Sequence, residues 1–450
     1  MTQSPFSRWL SEDNDTCLLI LDQTGIARIL AEVDGRVRAA LGDGPNPSMT
    51  VLDLEQMQVT DYASLGGVSA TQAAAIQGFH EQAPIRPDET LFLGLRSLFQ
   101  FTWPEPTSED DIRFAAAFDL VLKEVLKARV GELSAKFSAK EGLLPYWGRL
   151  AFLRVMIDLP EENVERFGLR HVAVSLVKKA KFNATTWAFD DGPVITLNYA
   201  LEPILKQLNR YLLHYHSTRD MAGPARLSRA WRGIVPIVLH FWSDVVATRI
   251  VESTVTLYGE NPAVMLHRLT SDQVDFIVSH ELGHVALDHP TKLKGARESG
   301  QDVSTLRHEF EFGADSFALG LIRSRLMARV KDRIGDDIPP DQHGELASDI
   351  TFELHEYHRS LGATFLLFMY MDFIQRAGEL VRDRLGDQVR FAQRMDSHPD
   401  ASERLERLKL MNAGEHLYTS PLERYARTFF DSVLAHASAL DDADLLESLS

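Results

Sequence analysis

Apolar residues recur at helical spacing through most of the second half of the chain. From Tyr199 to His214 they fall at Leu201, Ile204, Leu205, Leu208 and Leu212, which share one helix face. The same spacing predicts helices over roughly 225–256, 271–288, 303–332, 345–384 and 421–437. Two runs read instead as strands, Phe182 to Phe189 and Val194 to Asn198. The Asp190-Asp191-Gly192-Pro193 between them suits a tight turn, so the pair is expected to form an antiparallel hairpin. Upstream, Ser108-Glu109-Asp110-Asp111 marks a helix N-terminus, a capping side chain followed by acids at the positive end of the dipole. That helix should reach about Ser138 with an interruption near Gly131. The first 105 residues mix short apolar runs with punctuation such as Gly42-Asp43-Gly44-Pro45-Asn46-Pro47 and read as mixed α/β. Pro290 to Asp302, rich in Lys, Arg and Gly, is expected to be a mobile loop.

A chain of 450 residues can bury two or three cores. The pattern divides it into a mixed α/β region over 1–155, a helix-rich region over 156–420, and a C-terminal helix and tail over 421–450. No internal repeat is present. Apolar residues at 45% and charged residues at 25% are ordinary for a globular protein. Charge changes the picture more: 47 Lys and Arg against 64 Asp and Glu leave a net −17, which argues against nucleic acid as a partner. Lys178, Lys179 and Lys181 read as a solvated face. The single cysteine, Cys17, allows no disulfide within one chain and sits in an apolar run. Met1-Thr2-Gln3-Ser4-Pro5 has no signal-peptide character, and Gly362 to Met371 is too short to span a bilayer. The expectation is a cytoplasmic protein without stable membrane insertion, its oligomeric state left open.

Within the helix predicted over 271–288 lies His280-Glu281-Leu282-Gly283-His284. Thr270 and Ser271 are possible N-caps, with Gln273 completing a capping box, and Pro290 marks the end. Two histidines one turn apart project to the same side and can grip one metal ion, with the intervening Glu281 reaching a bound water. A catalytic zinc needs a third protein ligand and an open position. Placing that ligand on the same segment would need Gly at 287 and His at 290, where the chain has Leu287 and Pro290. His289 is one residue out of place and reads as an exposed helix-end histidine. The following helix offers Glu311-Phe312-Gly313-Ala314-Asp315, in which Glu311 and Asp315 share a face. Glu311 can ligate while Asp315 accepts the free ring N–H of a ligating histidine. Glu309 is the rival, but position 313 is Gly, so no acid lies four residues beyond it. His214 and His216 read as surface residues, His308 as structural, and His355-Glu356-Tyr357-His358 has the wrong spacing for a second site.

The two motifs resemble the signature of the gluzincin metallopeptidases related to the CAAX prenyl-protein endopeptidase. Ser397-His398-Pro399-Asp400-Ala401-Ser402-Glu403-Arg404-Leu405 is similar to the His-Pro…Arg segment of those enzymes. The resemblance spans roughly 190–410 and departs from the membrane members in lacking their spans, which puts a prenylated substrate in doubt. Bacterial phage-exclusion proteases share such a soluble core. The resemblance implies an α+β fold: a helix-rich zincin-like catalytic domain with a small antiparallel sheet, joined to the N-terminal mixed α/β region. It implies Zn2+ held by His280, His284 and Glu311, with Glu281 as general base. It also implies His398 near the oxyanion; Arg404 reads better as a solvated helix position. An extended protein or peptide substrate is expected along an edge strand, Val194 to Asn198.

Two other readings compete with hydrolysis. One is a non-proteolytic zinc-binding regulatory or partner-binding module, against which the intact Glu281 argues, since a structural zinc prefers a closed four-ligand site. The other is a metal-free helical scaffold.

Overall fold

The computed structural model describes residues 23–51, 69–82, 99–104, 106–137, 152, 155–156, 159–177, 184–218, 223–242, 255–257, 260–334, 343–386, 399–413 and 416–449. In chain order its elements are α1 (Gln23–Leu41), β1 (Ser48–Val51), α2 (Ala70–Gln82), β2 (Phe99–Thr102), α3 (Glu109–Phe137) and α4 (Glu161–Arg166). Then come β3 (Ala173–Val177), β4 (Ala184–Trp187), β5 (Val194–Asn198), α5 (Leu201–Ser217) and α6 (Gly223–Trp242). The remainder is helical: α7 (Glu260–Ala286), α8 (His289–Glu298), α9 (Ser304–Ile334), α10 (His343–Leu385), α11 (Ala401–Met411), α12 (His416–Ala439) and α13 (Asp442–Glu447). The fold is helix-rich with a small sheet, consistent with the α+β class.

Helix α7 runs through the middle of this arrangement, packed by α5, α9 and α10 and by strand β4. Its central turns are therefore buried almost all round, Val274, Phe276, Val278 and Leu282 among the apolar positions and Gln273, Ser279, His280 and Glu281 among the polar ones. Phe276 meets Phe368 of α10 edge to face at 5.7 Å. Residues 361–370 of α10 are buried on every side, so this apolar stretch lies within the helical core. Among the described residues no helix is long and apolar enough to cross a membrane.

Burying polar groups in α7 requires partners. Asn209 of α5 donates to Thr270 Oγ1 at 3.0 Å and Gln273 Oε1 at 2.8 Å, and accepts from the Tyr370 hydroxyl at 2.7 Å. This network pins α5, α7 and α10 together. It also corrects the expected capping box. Thr270 and Gln273 lie inside a helix that starts at Glu260, and Thr270 returns its hydroxyl to the Leu266 carbonyl.

β1 and β2 pair antiparallel on their own, and the larger sheet has the order β3-β5-β4, with β4 antiparallel and β3 parallel to β5. The hairpin holds as expected, with Gly192 at φ 129° in its turn. The sheet is mixed, however, not antiparallel, and β5 is its central strand, all five residues buried. The expected substrate edge at Val194 to Asn198 is thereby overturned. A parallel pairing leaves no turn signature in the sequence, so β3 could not be seen to cover that side. The strand lying against α7 is β4.

Three further expectations are corrected. Helix α3 is continuous past Gly131, its start capped as read, the Asp111 N–H donating to Ser108 Oγ at 3.2 Å. Residues 289–298 form α8 instead of a loop, because Pro290 near its start is compatible with a first helical turn. His214 is buried, its Nδ1–H donating to the Thr256 carbonyl at 2.8 Å. The described part of the N-terminal region also reaches the sheet. Gln72 of α2 donates to the carbonyls of His171 and Pro193 at 2.7 and 2.9 Å, and Phe79 meets Trp187 of β4 at 5.2 Å.

Candidate metal centre

His280 and His284 sit one turn apart on α7, and Glu311 faces them from α9. One ligating atom from each lies within 4.8 Å of the others. His280 Nε2 is 3.1 Å from His284 Nε2, and Glu311 places its two oxygens 3.5 Å from the first and 3.6 Å from the second. Around an ion with four tetrahedral bonds of about 2.0–2.1 Å, ligating atoms are about 3.4 Å apart. Each separation lies within a few tenths of an ångström of that value, with a different oxygen of Glu311 facing each histidine, so the three side chains are compatible with a shared divalent ion.

The two helices approach closely enough for this because of Gly283. A Cβ there would lie 2.9 Å from the Ala314 Cα and 3.0 Å from its carbonyl oxygen. The small residue between the two motif positions of α7 thus meets the small residue beside Asp315 on α9, and the ligands are brought to a common point.

Behind the ligands stands a buried polar shell. Asp315, 2% exposed, accepts from His280 Nδ1 at 2.9 Å, which leaves Nε2 directed at the ligand cluster. Arg404 of α11 forks onto the same carboxylate, Nε to Oδ2 at 2.8 Å and Nη2 to Oδ1 at 2.6 Å, and its Nη1 lies 3.2 Å from Glu311 Oε2. The guanidinium also rests over the Phe368 ring at 4.9 Å. Arg404 is 6% exposed, so the solvated position expected for it is wrong. A signal for this was present: Ala401, Arg404, Leu405 and Leu408 occupy one apolar stripe of α11, and all four are buried.

Electrostatics follow from this packing. Burial alone would raise the Asp315 pKa, but Arg404 and His280 hold it below the usual carboxylate range. Burial opposes charge on His280 too, yet the carboxylates of Asp315 and Glu311 outweigh it and push its pKa up. That field favours any cation at the point where the ligands converge. His284 is shifted the other way, chiefly by burial and then by charge on His280.

Glu281 faces β4. Its Oε2 accepts from the Thr186 hydroxyl at 2.7 Å, and the same hydroxyl lies 3.1 Å from the Glu281 main-chain oxygen. The carboxylate is therefore held by a strand residue. Thr186 went unnoticed in the sequence because nothing local marks which strand residue meets α7.

His289, expected to be exposed at the end of α7, is buried at the start of α8. Its Nδ1 lies 2.8 Å from His284 Nδ1, and its ring stacks on Phe310 at 4.1 Å. Burial pushes its pKa down to about 4. The reason for the error is the break at Leu287 and Asp288, which starts a new helix before the histidine. Glu309 is exposed and is not in the cluster. His398 lies outside the described residues.

Residues 258–420 match the family model described as Peptidase U49. No curated protein and no solved structure matches the chain. The matched segment contains α7 through α11, hence every ligand of the cluster together with Asp315 and Arg404. Similarity to a peptidase family and a buried His-His-Glu cluster are together compatible with a metallopeptidase.

Proposed function

We propose that the protein is a zinc-dependent endopeptidase of the gluzincin type, with His280, His284 and Glu311 as ligands and Glu281 as general base. The observation that carries this reading is the meeting of His280, His284 and Glu311 from two helices in a buried site, one ligating atom of each within 4.8 Å of the others. An ion so held supplies Lewis acidity, lowering the pKa of a bound water and polarising the scissile carbonyl. Asp315 keeps the proton of His280 on Nδ1, so that Nε2 offers its lone pair. Arg404 neutralises Asp315 and braces Glu311. Glu281, steadied by Thr186, takes the proton of the attacking water and delivers it to the leaving amine. His398, by its resemblance to the His-Pro segment of such enzymes, is assigned to the developing oxyanion. The substrate is a protein or peptide.

The test is metal content and cleavage measured side by side. Purified protein should hold about one zinc per chain and cleave members of a proteome-derived peptide library. Glu281→Gln should keep the zinc and lose about 10²–10⁴-fold in kcat/KM, the usual worth of a general acid–base group. A Glu281→Gln protein of full activity removes the assigned base; wild-type protein without bound metal removes the whole reading.

A further inference from the structure

A histidine that ligates through Nε2 must carry its proton on Nδ1, and when buried that N–H needs an acceptor. His280 has Asp315. The acceptor for His284 is another imidazole: its Nδ1 lies 2.8 Å from His289 Nδ1. Two nitrogens at that distance share one proton, so one is the donor and the other the lone pair. With the His284 proton on Nδ1, the His289 proton has to be on Nε2.

The backbone is bent to make this contact. Residues 284 and 289 are five apart, and on an unbroken helix they would point about 140° away from each other. Instead α7 ends at Ala286, and Asp288 takes up φ 53°, ψ 39°. Among the described residues it is the only one other than glycine with positive φ. An L-residue there is strained, less so for Asp than for most. The turn redirects the chain so that His289 opens α8 with its ring folded back under His284. Phe310 of α9 then clamps the ring, the two planes inclined by 3°.

Resting on the reading of a metal at His280, His284 and Glu311, we infer that His289 is a positioning residue that fixes the tautomer and ring orientation of His284. It does for the second ligand what Asp315 does for the first, but without charge. The difference has a reason. Glu281, Glu311 and Asp315 already bring three negative charges to a buried site, which a divalent ion and Arg404 balance. A carboxylate at 289 would leave one in excess, and an uncompensated buried charge is costly.

The inference is tested by competing wild-type protein, His289→Gln, His289→Phe and His289→Ala against a chromophoric chelator for Zn2+, with the Co2+-substituted spectra recorded alongside. Phenylalanine keeps a ring to stack on Phe310 and removes the acceptor; glutamine keeps an acceptor and loses the ring. The expected result is a 10–100-fold loss of zinc affinity in the Phe and Ala proteins, an altered Co2+ ligand-field band, and recovery of most of the affinity in the Gln protein. Melting of the metal-free proteins separates this from misfolding. A His289→Phe protein that binds zinc as tightly as wild type, with an unchanged Co2+ band, overturns the role of His289 alone. Wild-type protein that binds neither ion overturns the metal reading beneath it.

Discussion

Asp315 meets two demands with one carboxylate, accepting from His280 and from the fork of Arg404. Asp315→Asn keeps the shape and removes the charge. Breaking a buried pair from one side costs about 3–5 kcal/mol, and the Glu311 oxygen 3.2 Å from Arg404 should keep the loss near the lower figure. Urea unfolding of the metal-free protein should show that loss. A zinc titration on the same sample should show a 10–100-fold weaker site. Unchanged values in both would disconnect Asp315 from the centre. At this scale the sequence was legible where residues act along a single helix. His280 with His284, and Glu311 with Asp315, were readable because a four-residue spacing is itself a geometric statement. Arg404, His289 and Thr186 were not, since each reaches the centre from an element of its own, and no local spacing encodes which distant elements meet.

Among the elements, the pair α7 and α9 decides whether the ligands meet at all. They pack tightly at Gly283, where an added methyl would press on the Ala314 backbone. Because backbone cannot swing aside like a side chain, Gly283→Ala should force the helices apart by a few tenths of an ångström. Overpacking of this kind costs about 1–3 kcal/mol, and the ligand set should loosen with it. The expected outcome is a lower melting temperature together with weaker zinc binding; a protein with lowered stability but undiminished affinity would show that the helices move without disturbing the ligands. The long helices α5, α9 and α10 were legible from periodicity, because each buries one broad face or more. Helix α8 was not. Its composition is polar and its first turn contains a proline, so the sequence looked like a loop although the residues are compatible with helix. The central place of β5 was hidden for a different reason, the parallel partner β3 pairing from twenty-one residues upstream with no turn to announce it.

For the molecule as a whole, His214 links stability to pH. Burial pushes its pKa down to about 4, against the ordinary 6.5, although the Thr256 carbonyl partly opposes the shift. The unfolded chain therefore binds a proton that the folded chain refuses between those two values. Stability should be intact above pH 6.5 and fall as the pH drops toward 4, by up to about 3 kcal/mol from this group. His214→Asn retains a donor toward Thr256 and cannot take up charge, so its urea midpoint should fall less steeply over that window; parallel curves for the two proteins would exclude His214 as the source. The sequence had placed His214 on the surface, since the end of α5 gives no sign of what covers it. It had also treated the first third of the chain as a separate unit of open role. Gln72 hydrogen-bonds to the main chain of His171 and Pro193 beside the sheet, and Phe79 packs on Trp187 of β4, the strand whose Thr186 holds Glu281.

The position of Arg404 also sets an order of events during synthesis. It enters the centre 89 residues after Asp315 and 124 after His280. A nascent chain that has left the ribosome through α9 already displays both histidines and Glu311, but the carboxylates behind them still lack their cation. Until α11 emerges and docks, the centre is assembled without being braced. Activity of the kind proposed would then have to wait for α11.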